Sequence, residues 1–106
     1  MFIPCEAMIK QLLPAIRVSV TKELTKKYNF NQIEIASKLG VTQAAVSKYL
    51  SGDYAQSIKE VENKKSVRQN SKKIAYLIAN GKSNKKQIVE AICLSCKEVL
   101  ESECKI

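Results

Sequence analysis

The chain has 106 residues, with 18 Lys and Arg against 10 Asp and Glu, a formal net charge of +8. It contains no His, which removes Ser-His-Asp triads, Cys-His pairs and His-ligated metal sites. It has only three Gly and two Pro, too few turn residues for an all-β design, so the expected class is all-α.

The charge is unevenly distributed. Residues 1–89 hold 16 basic and six acidic side chains, whereas residues 90–106 set Lys97 and Lys105 against Glu90, Glu98, Glu101 and Glu103. The basic part calls for a polyanionic partner. No apolar run approaches the roughly 18 residues that span a bilayer, and Met1 to Glu6 has no basic-then-apolar leader pattern, so the expected location is the cytoplasm.

The first segment, about 6–27, repeats Ile9, Leu13, Ile16, Val20 and Leu24 at helical spacing. Pro14 removes a backbone donor and predicts a kink or two abutting helices there. Asn31 is placed to cap the next helix, with Glu34 three residues on as its capping-box partner. Ile33, Ala36 and Leu39 are its expected buried stripe, and Gly40 ends it. Thr42 caps a third helix, Gln43 to Ser51, with Val46 inward beside Ala45 (or Ala44) and Tyr49 or Leu50; Gly52 stops it. Ile58 and Val61 suggest a short helix. A longer one, from Ser66 or Ser71 to Ala79, turns Val67, Ile74, Leu77 and Ile78 inward. Asn80-Gly81 is a turn signal, and Ser83 is the expected cap of a last helix, from Asn84 to about Glu101, with Ile88, Ile92, Val99 and Leu100 on its apolar face.

The pair of helices between Gln32 and Ser51 has the spacing of a helix-turn-helix. Ala36 is small enough for a second helix to cross closely. Four residues on, Gly40 supplies a positive φ, and six beyond that Val46 plugs the contact. Leu39 and Val41 fill the flanking core positions. That packing leaves Thr42, Gln43, Ala44, Ser47 and Lys48 on the outer face or N-terminal turn of the second helix. Gln reads adenine, Ala touches a thymine methyl, and Ser or Lys meets guanine or phosphate. Thr42 and Gln32, near helix N-termini, are candidate phosphate contacts. A short helix pair around Gly also serves protein contacts elsewhere, and fold analogy alone does not decide between the two.

The stretch from Pro4 to Gly52 resembles the N-terminal domain of archaeal XRE (lambda-repressor-like) helix-turn-helix transcriptional regulators. It is similar in particular to the DNA-binding domain found before thiamine-phosphate-synthase-like domains. The matching strings are Pro4-Cys5-Glu6, Leu13-Pro14-Ala15-Ile16-Arg17, Lys22-Glu23-Leu24 and the run from Leu39 to Gly52. The resemblance implies a lambda-repressor-like fold. The length leaves no room for a fused enzymatic domain, so a stand-alone member is expected.

Four cysteines remain. Cys93 and Cys96 stand three apart on one helical face, Cys104 follows, and Cys5 is the remaining thiol. Three uses compete: an iron–sulfur cluster or zinc site drawing on all four, disulfide chemistry, or plain packing of Cys93 and Cys96. Glu98, Glu101 and Glu103 are expected to raise the nearby thiol pKa values.

The expected organisation is a helix-turn-helix unit over 1–54 and a C-terminal helical region over 55–106 that dimerises and carries any sensing, the two forming one compact unit. The apolar stripes of the last two helices exceed the needs of a small core and suggest a homodimer on two DNA half-sites. The expected function is sequence-specific binding of double-stranded DNA in transcription regulation, with a possible redox or iron response. The alternative is a cysteine-based metal or redox protein that binds nucleic acid incidentally. No paired carboxylates, Gly-rich phosphate loop or triad suggests an enzyme.

Overall fold

In the computed structural model, the backbone is described for residues 4–81 and 84–103 and the side chains for residues 10–81 and 84–102. Six helices follow one another: α1 (Pro4–Tyr28), α2 (Gln32–Leu39), α3 (Gln43–Ser51), α4 (Gln56–Glu62), α5 (Lys65–Ala79) and α6 (Lys85–Glu103). Every described element is a helix, as the scarcity of Gly and Pro required.

α1 is the axis of the molecule, and α3, α4, α5 and α6 all pack on it. The reason lies in its sequence. Leu12, Ala15, Ile16, Val18, Val20 and Leu24 are all at most 2% exposed, so apolar residues ring most of its circumference. A helix apolar on so many sides must be surrounded. One hydrophobic cluster runs from these residues through Ile35, Leu39, Val46, Val61, Val67, Ile74 and Ile78 to Ile88, Ile92 and Val99, drawing on all six helices.

Three expected inward residues, Leu13, Ile33 and Leu77, need correction, and the alternatives at Pro14 are narrowed. Pro14 lies inside one helix rather than at a junction of two. The lost hydrogen bond at Pro14 is outweighed by burial of Leu12, Ala15 and Ile16 on either side of it. Leu12, not Leu13, is the inward residue of that turn: Leu13 is exposed.

In α2 the buried residues are Ile35, Ala36 and Leu39, while Ile33 is 66% exposed. Successive steps of three residues lag the helical turn by about 60° each, so a stripe drawn from 33 through 36 to 39 walks around the helix. Residues 35, 36 and 39 stay on one side.

In α5 Leu77 lies at the rim, whereas Asn70, Ser71 and Ala75 are buried with Val67, Ile74 and Ile78. The inward line of α5 thus includes two polar side chains. Asn70 is satisfied by donating from Nδ2 to the Ser66 carbonyl at 2.9 Å.

Helix ends follow local chemistry. Asn29 takes φ 60° after α1, a conformation that Asn tolerates. The expected cap Ser83 lies outside the described residues. Asn84 and Gln87 form a reciprocal pair at the start of α6: the Asn84 amide donates to Gln87 Oε1 and the Gln87 amide to Asn84 Oδ1, each at 2.9 Å. That is a capping box.

Candidate nucleic-acid interface

α2 begins with a second reciprocal cap. Asn31 Oδ1 accepts from the Glu34 amide at 2.8 Å, and Glu34 Oε1 accepts from the Asn31 amide at 3.0 Å. The helix ends where Gly40 adopts φ 70°, ψ 33°, and its N–H donates to the Ala36 carbonyl. The Val41 amide reaches the same carbonyl at 3.1 Å. This left-handed residue reverses the chain within one step, which Gly does without a Cβ penalty.

The chain then enters α3 through Thr42, which is extended at φ −81°, ψ 157°. Its hydroxyl oxygen accepts from the Ala45 amide at 3.1 Å. Gly52, at φ 82°, closes the helix with its N–H on the Lys48 carbonyl. Both ends of α3 are therefore fixed by side-chain or left-handed caps.

Val46 is 0% exposed and is the single fully buried side chain of α3; Ala36 and Leu39 are each 8% exposed. Val41 and Leu50 are half-buried against the same cluster. With Val46 turned in, the opposite face is determined by the 3.6-residue turn. Ala44, Ser47, Lys48 and Ser51 are all exposed along it, and Gln43, three residues before Val46, is exposed at the first turn of the helix. Thr42 is exposed at its start, and Gln32 is half-buried at the start of α2. Every α3 candidate chosen from the sequence is thus exposed, on the outer face or at the first turn. The Ser51 hydroxyl, also on that face, is already engaged with the Lys48 carbonyl at 3.2 Å. No acidic side chain occupies the first turn of α3, so the positive end of its dipole is not neutralised.

A polar cluster that the sequence reading missed locks this pair to the rest of the fold. Lys22 of α1 donates from Nζ to Glu62 Oε2 of α4 at 2.6 Å and to Tyr54 Oη at 3.0 Å, and Tyr54 donates to Glu62 Oε1 at 2.6 Å. Lys22 and Lys59 also lie 5.7 and 5.4 Å from the Tyr54 ring centroid, within cation–π range. Glu62 is buried at 8% exposure. Burial pulls the Lys22 pKa down, but hydrogen bonds and charge from Glu62 and Tyr54 outweigh it, leaving it raised. Burial, then Glu62, raises the Tyr54 pKa, against an opposing pull from Lys22. The available signal was weak: a Glu directly after an inward Val61, with its partners 8 and 40 residues away.

Two of the four candidate thiols lie among the described side chains. Cys93 is exposed and Cys96 half-buried on α6. The side chain of Cys5, and Cys104, lie outside the described residues. Among the described residues, no three of Cys, Asp and Glu come together as a metal site. The Cys96 pKa is raised as expected, but by burial first and Cys93 second, with Arg17 pulling it down. The glutamates of α6 are not among the causes.

Residues 22–63 match the Helix-turn-helix family model. The matched span begins on the last turns of α1 and ends one residue past α4, enclosing the whole of α2 and α3. The helix-turn-helix is of the XRE type, and with the all-helical architecture it gives a lambda-repressor-like fold. Such a unit supports DNA binding in transcription regulation. The chain matches none of the curated proteins and none of the solved structures compared with it. No helix among the described residues is long and apolar enough to cross a membrane.

Proposed function

We propose that the chain is a sequence-specific regulator of transcription that binds duplex DNA as a homodimer, with α3 lying in the major groove. The observation that supports this reading is the exposed outer face of α3 at Ala44, Ser47 and Lys48, held outward by the burial of Val46, with Gln43 exposed beside it at the first turn. Gln43 presents a paired donor and acceptor to an adenine edge, and Ala44 a methyl to thymine. Ser47 and Lys48 meet guanine or the adjacent phosphate. Thr42 and Gln32, at the N-terminal ends of α3 and α2, hold phosphates on either side and set the register. Residues 1–54 do the reading in this scheme, and residues 55–106 join the two copies.

Selection from a pool of randomised duplexes tests this. One enriched motif is expected, palindromic, with half-site centres about 34–36 Å apart or a multiple of that spacing. A pool that binds without enriching any motif contradicts specific readout.

A further inference from the structure

Among the described residues, none covers the outward face of α6. Lys86, Val89, Glu90, Cys93, Leu94, Lys97 and Glu101 are all exposed, with Val89 at 56% and Leu94 at 63%. Ile88, Ile92, Ser95 and Val99 point the other way, into the core. The seven exposed residues recur at steps of three and four, so they form one stripe roughly 22 Å long. Two apolar side chains and a thiol occupy its middle, and charges lie at its ends. Among the described residues none of its four charged side chains has an ion-pair partner.

The order of those charges is the informative feature. Reading along the stripe they run Lys86, Glu90, Lys97, Glu101: basic, acidic, basic, acidic. Such a series is complementary to its own reverse. If a second α6 lies antiparallel with the two-fold axis between positions 93 and 94, Lys86 faces Glu101 of the partner subunit and Glu90 faces Lys97 of the partner subunit. Symmetry repeats both pairs, and Cys93 meets Leu94 of the partner subunit at the centre. Sliding the partner by about one turn fails in either direction. One slide sets Lys86 against Lys97 of the partner subunit, and the other sets Glu90 against Glu101 of the partner subunit. A parallel two-fold arrangement sets every charge against itself. Antiparallel packing also aligns the helix dipoles favourably.

We propose that a second copy of this chain covers the outward face of α6, through an antiparallel α6 pairing in the register that opposes Glu90 to Lys97 and Lys86 to Glu101. The proposal deepens the dimeric DNA-binding reading and rests on it for its purpose, but its test is made without DNA. The charge pairs fix register and orientation, as polar side chains at helix seams do, while Val89, Cys93 and Leu94 supply the apolar contact.

The test is the self-association constant of the full chain, by sedimentation equilibrium under reducing conditions, for the parent, E90K, K97E and E90K/K97E. All substituted positions are exposed, and circular dichroism checks that the fold persists. Each single variant places like charges opposite one another twice and is expected to weaken dimerisation at least about tenfold. The double variant restores opposite charges and is expected to return close to the parent value. An equimolar mixture of the two single variants is expected to form a heterodimer. A monomeric parent, single variants that dimerise as the parent does, or a double variant no better than the singles overturns the proposal. An overturning result here with motif selection by the parent intact separates this failure from failure of the DNA-binding reading.

Discussion

Lys22 and Glu62 stand 40 residues apart in sequence and 2.6 Å apart in space. They are the first and the penultimate residues of the matched helix-turn-helix segment, so the pair closes that segment end to end. Tyr54, in the turn after α3, donates to the second oxygen of the same carboxylate. Removing Lys22 leaves a buried carboxylate short of its cation. K22M is expected to cost about 1–3 kcal/mol. K22M/E62L, which removes both partners, is expected to recover much of that loss. Chemical denaturation of the two single variants and the double one measures the coupling; additive losses would show that the pair is not an energetic unit.

The same cluster sets a pH dependence. The Lys22 pKa is raised above its ordinary 10.5, so its contribution is complete below that value and is lost as pH rises through the folded value. The Tyr54 pKa, raised above 10.0, acts in the same sense, because the folded state holds the phenol proton more tightly than the unfolded chain does. Thermal melts taken at increasing pH above neutrality should show stability falling on the alkaline side from about pH 10. The fall should be shallower in K22M/Y54F. An equal alkaline slope in both proteins assigns the loss elsewhere.

Gly40 offers a test of backbone geometry separate from packing. Its φ is 70°, and a Cβ built there meets nothing within 4 Å. Gly40→Ala therefore introduces no clash, and its cost is the left-handed conformation alone, about 1–2 kcal/mol. Gly40→Asn should cost less, since Asn tolerates that region. The midpoint of thermal unfolding should rank parent, then Asn, then Ala. Equal midpoints for Asn and Ala would mean that some other constraint governs the turn.

The two described thiols should differ in reactivity. Cys93 is exposed, while Cys96 is half-buried with its pKa pushed up by burial and by Cys93. Iodoacetamide at neutral pH should alkylate Cys93 first, with Cys96 slower by about tenfold or more, read by peptide mass spectrometry. Matching rates would place both thiols in the same surroundings.

Local chemistry made much of the fold readable. Asn31 with Glu34, Gly40, Thr42 and Gly52 each act within four residues of themselves, and each sits where its chemistry requires. The α3 face was readable for the same reason, because one buried Val46 determines which residues face away. What escaped the sequence depends on long separations or on phase. Ile33 and Leu77 are apolar residues whose side of the helix is decided by which neighbours pack on it, chiefly α3 and α6 for α2 and α1 and α6 for α5. The Lys22–Tyr54–Glu62 cluster joins three segments whose spacing along the chain carries no periodic signal. Of the two alternatives at Pro14, a kink or a junction of two helices, the junction is excluded because burial on both sides of it keeps the helix continuous.

Gln43 and Lys48, both exposed on α3, carry the central claim. The decisive measurement is the salt dependence of binding for the parent, Q43A and K48A, by fluorescence anisotropy on the selected duplex and on a scrambled one. Q43A should lose about 1–3 kcal/mol on the selected duplex alone, with its salt slope unchanged. K48A contacting phosphate should weaken both duplexes alike and reduce the salt slope by about one; K48A contacting guanine should behave as Q43A does. Parent-like affinity and specificity in both variants would contradict α3 as the helix that reads DNA.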